Sequence, residues 1–448
     1  MLTRREFLAG SAAPLLGAAP RPRPNLVFVL VDDLRWDALG IAGHPFVKTP
    51  HIDRLGREGA YFENAFVTTP LCSPARGSFL TGQYVHTHGV KGNGDSSALS
   101  RKLVTSAMHL QKAGYETAFI GKWHMGNDSN PRPGWDRWVS FRGQGQYPNP
   151  LLNFDGEERK TEGYITDLLN RYAVEFVRKP RNKPFLLYLP HKAVHGPFTP
   201  AERHKDLYAN EPVRRAPSAQ DSLDGKPVLQ RAVEGMPKLA PGMGSPDELV
   251  RNQLRCLQSI DDGVGELLAA LKETRQLDNT LFIFTSDNGY LWGEHCLGDK
   301  RPSYEESIRI PIVARWQGVI QPGRKIPQMA LNIDIAPTFL DAAGLTPPKE
   351  MQGRSLVPLL AGRPVKWRTS FFCEYFAEPR YPRIPSWQAV RTEQWKYTRY
   401  TGLDGMDELY DLKADPYEMK NLAADAKARG ALEKMKAEFA RLARETGA

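Results

Sequence analysis

Several apolar runs in this chain end on polar side chains that can do chemistry. Asp32-Asp33 close "NLVFVLVDD", Asp287-Asn288 close the apolar part of "TLFIFTSDNG", and Lys122 and His124 follow "ETAFIG". Two Asp-type pairs brought together would make a cluster of hard oxygen donors. Such a set suits Ca2+ or Mg2+ better than zinc. Lys122 and His124 stand two residues apart, so an extended backbone turns both to one face. The stretch "TTPLCSPARGSFLTG" sets Cys72 just ahead of Pro74 and Arg76. Pro suits the first helical position, where its missing N–H would lack a partner anyway, so a short helix is predicted with Cys72 at its N-terminus. Free N–H groups there favour anions by about 0.3–1 kcal/mol. Alone, Cys72 reads as a small buried hydrophobe. Beside a hard-oxygen cluster its thiolate is a mismatched, soft ligand.

The elements that must position these groups are legible as runs. Those ending at Asp33 and His124, together with "PFLLYLPH" and "TLFIFTSDNG", read as strands buried on both faces, the mark of a parallel sheet. Helical patterns such as "HIDRLGREG" and "VRNQLRCLQSIDDGVGELLAALKET" lie between them, so a doubly wound α/β domain is expected. In such sheets ligands bind outside the carboxyl ends of the strands, where the polar pairs fall. Residues 199–245 are rich in Pro, Arg and Gly and read as a long surface excursion. After Gly362 short strand-like pieces precede a charged helix, which suggests a small antiparallel sheet with a terminal helix. The expected division is a large α/β unit at 24–362 and a small α+β unit at 363–448.

Composition narrows the class. The formal charge of +9 over 448 residues favours acidic partners, and no basic run or zinc-finger spacing supports nucleic acid. Cys72, Cys256, Cys296 and Cys373 form no CxxC pair, which excludes metal-ribbon and thioredoxin readings but leaves a disulfide among the later three open. No HExxH occurs, and Gly121-Lys122 lacks the upstream glycine of a P-loop. The start, residues 1–19, carries Arg4-Arg5 before a short Ala/Gly-rich run and resembles a twin-arginine signal peptide. No segment approaches the roughly 20 apolar residues of a membrane span.

Cys72-Ser73-Pro74-Ala75-Arg76 followed by "GSFLTG" resembles the C-x-P-x-R signature of the type I sulfatases, members of the alkaline phosphatase-like superfamily. The likeness extends through "RPNLVFVLVDDLRWDALG", "GKWHMG", "SDNGYLWGEH", "DKRPSYEESIRIPIV" and "ELYDLKADPYEMKNL". In texture it is nearest to bacterial glycan-desulfating members of the N-acetylglucosamine-6-sulfatase kind. The resemblance implies that a maturation enzyme converts Cys72 to formylglycine, whose hydrate is the nucleophile. It also implies one Ca2+ held by Asp32, Asp33, Asp287 and Asn288, with the modified Cys72 completing the shell. Hydrated aldehyde oxygens would resolve the soft-ligand mismatch. Arg76 and Lys122 would hold the hydrate, and His124 would take its proton. His195, in "HGPF", would stand beside the leaving group, and Lys300, in "GDKRPSYEE", would grip the sulfate. Cys296 stands where relatives commonly carry glycine.

The implied activity is an exported sulfuric ester hydrolase acting on a sulfated carbohydrate, periplasmic or extracellular. Three rivals remain at this point: a phosphomonoester or phosphonate ester hydrolase of the same superfamily, a secreted glycan-binding protein with an unmodified, inert Cys72, and an intracellular protein whose Arg4-Arg5 start is fortuitous. His86, His88 and His295 carry no role assignable from sequence.

Overall fold

The computed structural model describes residues 22–448. The segment 1–19 read as an export signal lies outside the described residues. The strands of the large sheet, in chain order, are β1 (Asn25–Val31), β2 (Ala60–Phe62), β3 (Glu116–Lys122), β4 (Arg137–Phe141), β5 (Leu151–Phe154), β6 (Glu157–Lys160), β7 (Phe185–Pro190), β8 (Thr280–Ser286), β9 (Ile312–Arg315) and β10 (Arg324–Ile326). They form one ten-stranded sheet in the order β10-β2-β9-β8-β1-β7-β3-β4-β5-β6. Its centre is parallel, from β8 through β1, β7 and β3 to β4. Antiparallel strands β9, β5 and β6 extend it on both sides.

Every residue of β1 is buried, as an apolar run covered on both faces requires. Its side chains alternate between two cores. Leu26, Phe28 and Leu30 join the one that contains helix α1 (Cys72–Thr81). Val27, Val29 and Val31 join the one built on helices α2 (Ile165–Arg178) and α3 (Asp247–Glu273).

A second sheet of four antiparallel strands follows: β11 (Ser370–Tyr375), β12 (Trp387–Thr392), β13 (Trp395–Tyr400) and β14 (Glu408–Asp411). The terminal helix α4 (Arg429–Thr446) packs on it through Phe439, whose ring lies 5.8 Å from Phe372 and 5.9 Å from Tyr397. The small sheet shares a core with the α1 face of the large one, and Phe66 meets Phe371 at 4.9 Å.

Two expectations need correction. Residues 199–245 are not simply a surface excursion, because Ser218, Asp221 and Lys226 are buried within them. Lys226 donates to the Met419 carbonyl at 2.8 Å and Arg231 to that of Pro382 at 2.7 Å, tying the segment to the C-terminal region. All four cysteines are free, so no disulfide joins the later three. Among the described residues no helix is long and apolar enough to cross a membrane.

Candidate active site

Strand register assembles the site. In the parallel pair β1–β8, Val31 sits opposite Ser286, so the next residues, Asp32 and Asp287, emerge side by side at the carboxyl edge. The Asp287 N–H bonds the Val31 carbonyl at 2.9 Å; on the β7 side the Asp32 N–H bonds the Ala193 carbonyl at 3.0 Å and the Val194 N–H bonds the Asp32 carbonyl at 2.9 Å. Continuing the alternation of β1, Asp32 follows Leu30 to the face of α1, where Cys72 and Arg76 lie. β3 approaches β7 so closely that a Cβ on Gly121 would stand 1.9 Å from the Pro190 carbonyl oxygen. Only glycine permits that approach, and it brings Lys122 to the same edge. Asp33 and His124 adopt φ of 65° and 60°. For non-glycine residues this costs about 1–3 kcal/mol each, strain held by the surrounding structure.

Helix α1 begins at Cys72 and ends at Gly82, whose φ is 69°. Pro74 therefore occupies the third helical position, not the first. The third N–H also lacks an intrahelical partner, so the residue remains compatible. The whole helix is buried, and it delivers Cys72 and Arg76 into the strand-end cluster.

Within that cluster Arg76 bridges two carboxylates, 2.8 Å from Asp287 and 3.2 Å from Asp32. Lys122 pairs with Asp32, and Lys300 with Asp33. The Cys72 thiol lies 3.4 Å from Asp32 Oδ1, and Lys300 Nζ donates to Cys72 Sγ at 3.2 Å. His195 Nε2 is 3.8 Å from Asp33 Oδ2. Ligand atoms of Asp32, Asp33 and Asp287 lie within 4.8 Å of one another, and so do those of Asp32, Cys72 and His195. Asn288 donates from Nδ2 to Asp33 at 2.7 Å and to the Gly289 carbonyl at 2.8 Å. Its Oδ1 is buried with no partner among the described residues. His124 sits above Ser73, 3.2 Å from its hydroxyl through Nδ1.

Burial opposes charge on Asp32, yet Lys122, then His195, Arg76 and Lys300, hold it well below the usual carboxylate range. Asp287 is pushed up to about 7 by burial and by Asp32 and Asp33, against Arg76. Burial, and then Asp32, push the Cys72 thiol far up despite Lys300 and Lys122. A thiol so disfavoured as thiolate is a poor nucleophile. Burial, with Lys122 adding to it, lowers His195 to about 4 and takes His124 well below its ordinary value.

The donor set suits a divalent ion. Three crowded carboxylates and an orphaned amide oxygen are hard donors of the kind Ca2+ takes, and the unpartnered Asn288 Oδ1 is the atom such an ion would satisfy. The residues fit the group.

Three neighbours carried no sequence signal. Gln144 accepts from Lys122, the Tyr147 hydroxyl donates to the His195 carbonyl at 2.6 Å, and Lys192 donates to the Gly196 carbonyl at 2.8 Å. They lie in loops without period or motif. The three unassigned histidines pack instead of facing the cluster. His86 bridges Glu374 and the Thr446 carbonyl, His88 bonds Ser78, and His295 stacks on Tyr304 at 3.8 Å while bonding Asp221.

Known proteins share this arrangement of chain. The family description "Sulfatase" matches residues 24–345, and "N-sulphoglucosamine sulphohydrolase, C-terminal" matches 293–445. An N-acetylglucosamine-6-O-sulfatase of Bacteroides thetaiotaomicron is 31% identical, over 90% of this chain and 83% of its own. The N-acetylglucosamine-6-sulfatase of Homo sapiens is also 31% identical, over 91% and 82%. A solved structure described as a complex with its substrate D-glucosamine-2-N,6-O-disulfate superposes with a TM-score of 0.86 at 28% identity, over 95% of this chain and 98% of that one. The matched region runs from the first strand end through the cysteine helix and the Lys300 loop, and on that ground the chain belongs to the sulfatase family of sulfuric ester hydrolases.

Proposed function

We propose that this hydrolase is exported and releases inorganic sulfate from a sulfated carbohydrate, using formylglycine made from Cys72 and one bound Ca2+. The observation that carries the reading is the position of Cys72, fully buried and touching both a metal-type carboxylate, Asp32, and a cation, Lys300. As a thiol the group has neither the ionisation nor the hardness the site asks for. Converted to an aldehyde hydrate by a maturation enzyme, it offers hydroxyl oxygens at the same place.

Asp32, Asp33, Asp287 and Asn288 would hold the ion, with position 72 completing the set. Bound Ca2+ would supply charge stabilisation at the sulfuryl oxygens. Arg76 and Lys122 hold the oxygens at position 72, and His124 takes a proton from there. His195, its ring tied to the Gly196 carbonyl at 3.0 Å, stands beside the departing alcohol. Lys300 grips the sulfate and protonates the leaving oxygen. Arg76, Lys122 and Lys300 balance the three carboxylates, so a bound divalent ion leaves the pocket positive toward an anionic ester. The carbohydrate assignment draws on the named relatives and the charge of +9, and export on the Arg4-Arg5 start. In this reading residues 24–362 carry the chemistry and 363–448 help to shape the cleft.

Purified, matured protein should release sulfate from N-acetylglucosamine 6-sulfate and lose that activity to a chelator, with Ca2+ restoring it. A much higher kcat/KM for 4-nitrophenyl phosphate than for 4-nitrophenyl sulfate overturns the reading in favour of a phosphate ester hydrolase.

A further inference from the structure

One buried cation beside the site is held without a carboxylate. The other buried lysines, Lys122, Lys226, Lys300 and Lys396, each form an ion pair. Lys192 is 1% exposed and makes no ion pair among the described residues. Its Nζ donates to the Gly196 carbonyl at 2.8 Å and lies 4.7 Å from the centroid of the Tyr147 ring. Burying an ammonium costs stability unless it is paired, and an aromatic face returns only part of that cost. A group kept under those terms calls for a role.

The carbonyl that Lys192 holds is the one that fixes His195. His195 Nδ1 lies 3.0 Å from the same Gly196 oxygen. A carbonyl only accepts, so the proton of that bond sits on Nδ1, and a second proton enters and leaves the ring at Nε2. Nε2 faces the cluster, 3.8 Å from Asp33 Oδ2. A bond from a ring to the next carbonyl along the chain is a weak hold by itself, because rotation of that peptide releases it. Gly196 has no side chain, and Pro197 no N–H, to resist the rotation. Lys192 resists it from one side. Tyr147 holds the other: its hydroxyl donates to the His195 carbonyl at 2.6 Å, and the ring that seats Lys192 stacks on Tyr164 at 5.5 Å. The main chain closes the turn, with the His195 N–H on the Lys192 carbonyl at 3.1 Å.

We propose that Lys192, seated on the ring of Tyr147, is the positioning residue of His195. It pins the Gly196 carbonyl, and so keeps one proton on Nδ1 and turns Nε2 toward the departing oxygen. Lys192 acts through the ring and not on the ester. The inference rests on the proposed sulfatase reaction for its kinetics, but not for the state of the ring.

Two measurements on the full, matured protein test it. The first is nitrogen NMR of ¹⁵N-histidine-labelled protein, with the His195 signals assigned by their loss in His195→Gln. The ring should be a single Nδ1–H tautomer in wild type and a mixture of tautomers in Lys192→Met. Met fills the lysine's place without its buried charge, so this variant should fold. Tyr147→Phe, which keeps the ring and loses only the hydroxyl, should shift the tautomer in the same direction and less. The second is turnover of N-acetylglucosamine 6-sulfate. Lys192→Met should lower kcat at least about tenfold with KM within about twofold, as misplacing a reacting group does. In a His195→Ala background the same change should alter kcat by less than about twofold, the mark of two residues acting as one. An unchanged His195 tautomer in Lys192→Met, or a loss of kcat as large without His195 as with it, overturns the proposal. Absence of sulfate release would sink the sulfatase reading alone, with the tautomer still deciding the role of Lys192.

Discussion

Asp32, at the carboxyl edge of the large sheet, and Glu408, in β14 of the small one, are both fully buried carboxyls. Burial pushes each toward the protonated form, yet they end on opposite sides of their ordinary values. Glu408 is raised, because burial outweighs the Tyr410 hydroxyl, the more distant charge of Lys226 and the hydroxyls of Tyr304 and Tyr400. The groups that bond it are all hydroxyls, Tyr304 at 3.1 Å, Tyr400 at 3.1 Å and Tyr410 at 2.9 Å. Asp32 is lowered because the groups facing it include Lys122, Arg76 and Lys300. What decides is whether cations touch the carboxyl, as Arg76 and Lys122 touch Asp32, or only hydroxyls do. The difference also separates a site from a scaffold. Glu408 has its oxygens taken by three hydroxyls, whereas the Asp32 cluster keeps an acceptor, Asn288 Oδ1, with no partner among the described residues.

The largest expected effect is at Cys72. Cys72→Ala should lower turnover by at least about 10⁴-fold, as loss of a nucleophile does, while circular dichroism remains that of the folded protein. Next comes Asp32→Asn, which keeps the shape but removes a charge. It should cost turnover at least about 100-fold, the upper end of what disturbing a metal's surroundings costs, and weaken Ca2+ binding. In wild type, Ca2+ at a hundred times its Kd should add about 2.7 kcal/mol of stability, a gain lost in the variant and visible in melting curves. If Asp32→Asn keeps both activity and Ca2+ stabilisation, the contrast with Glu408 collapses.

At Glu408 the expected effects are smaller and of another kind. Glu408→Gln should leave turnover near wild type and change stability by about 1 kcal/mol or less, since Gln keeps the shape and an oxygen that accepts from the surrounding hydroxyls. The folded state holds this proton more tightly than the unfolded chain. Its stabilisation is therefore present below the ordinary carboxyl value of 4.5 and is lost as pH rises through the raised value. Glu408→Gln should remove that part of the pH slope; an identical slope in both proteins contradicts the assignment. The smallest effect lies in the loop between the two regions. Cys296 has φ of 61° and donates its thiol to the Asp221 carbonyl at 3.2 Å. Cys296→Gly should be at least as stable as Cys296→Ala, by up to about 1 kcal/mol, because only glycine adopts that backbone without strain.

Much of the site was legible because it hangs on strand ends. An apolar run that stops on Asp32-Asp33, and another on Asp287-Asn288, need only parallel pairing to place the carboxylates together, and the register of β1 with β8 does so. The helix at Cys72 was legible from Pro74, although its first turn begins two residues earlier than the proline rule suggested. Tyr147, Lys192 and Gln144 were not legible, since each reaches the site by long-range packing from an aperiodic loop. The cavities beside the site were hidden for the same reason. Residues 91–99, 236–249, 297–301 and 376–384 meet only in the folded chain, and the 199–245 segment looked like surface because its buried contacts are with distant residues.

The central claim is that Cys72 is the place where the nucleophile is made. The direct measurement is the mass of the peptide carrying residue 72, from active protein produced with a maturation enzyme present. An aldehyde or its hydrate there, in proportion to specific activity, is the predicted result. Fully active protein with an intact thiol at residue 72 would contradict it.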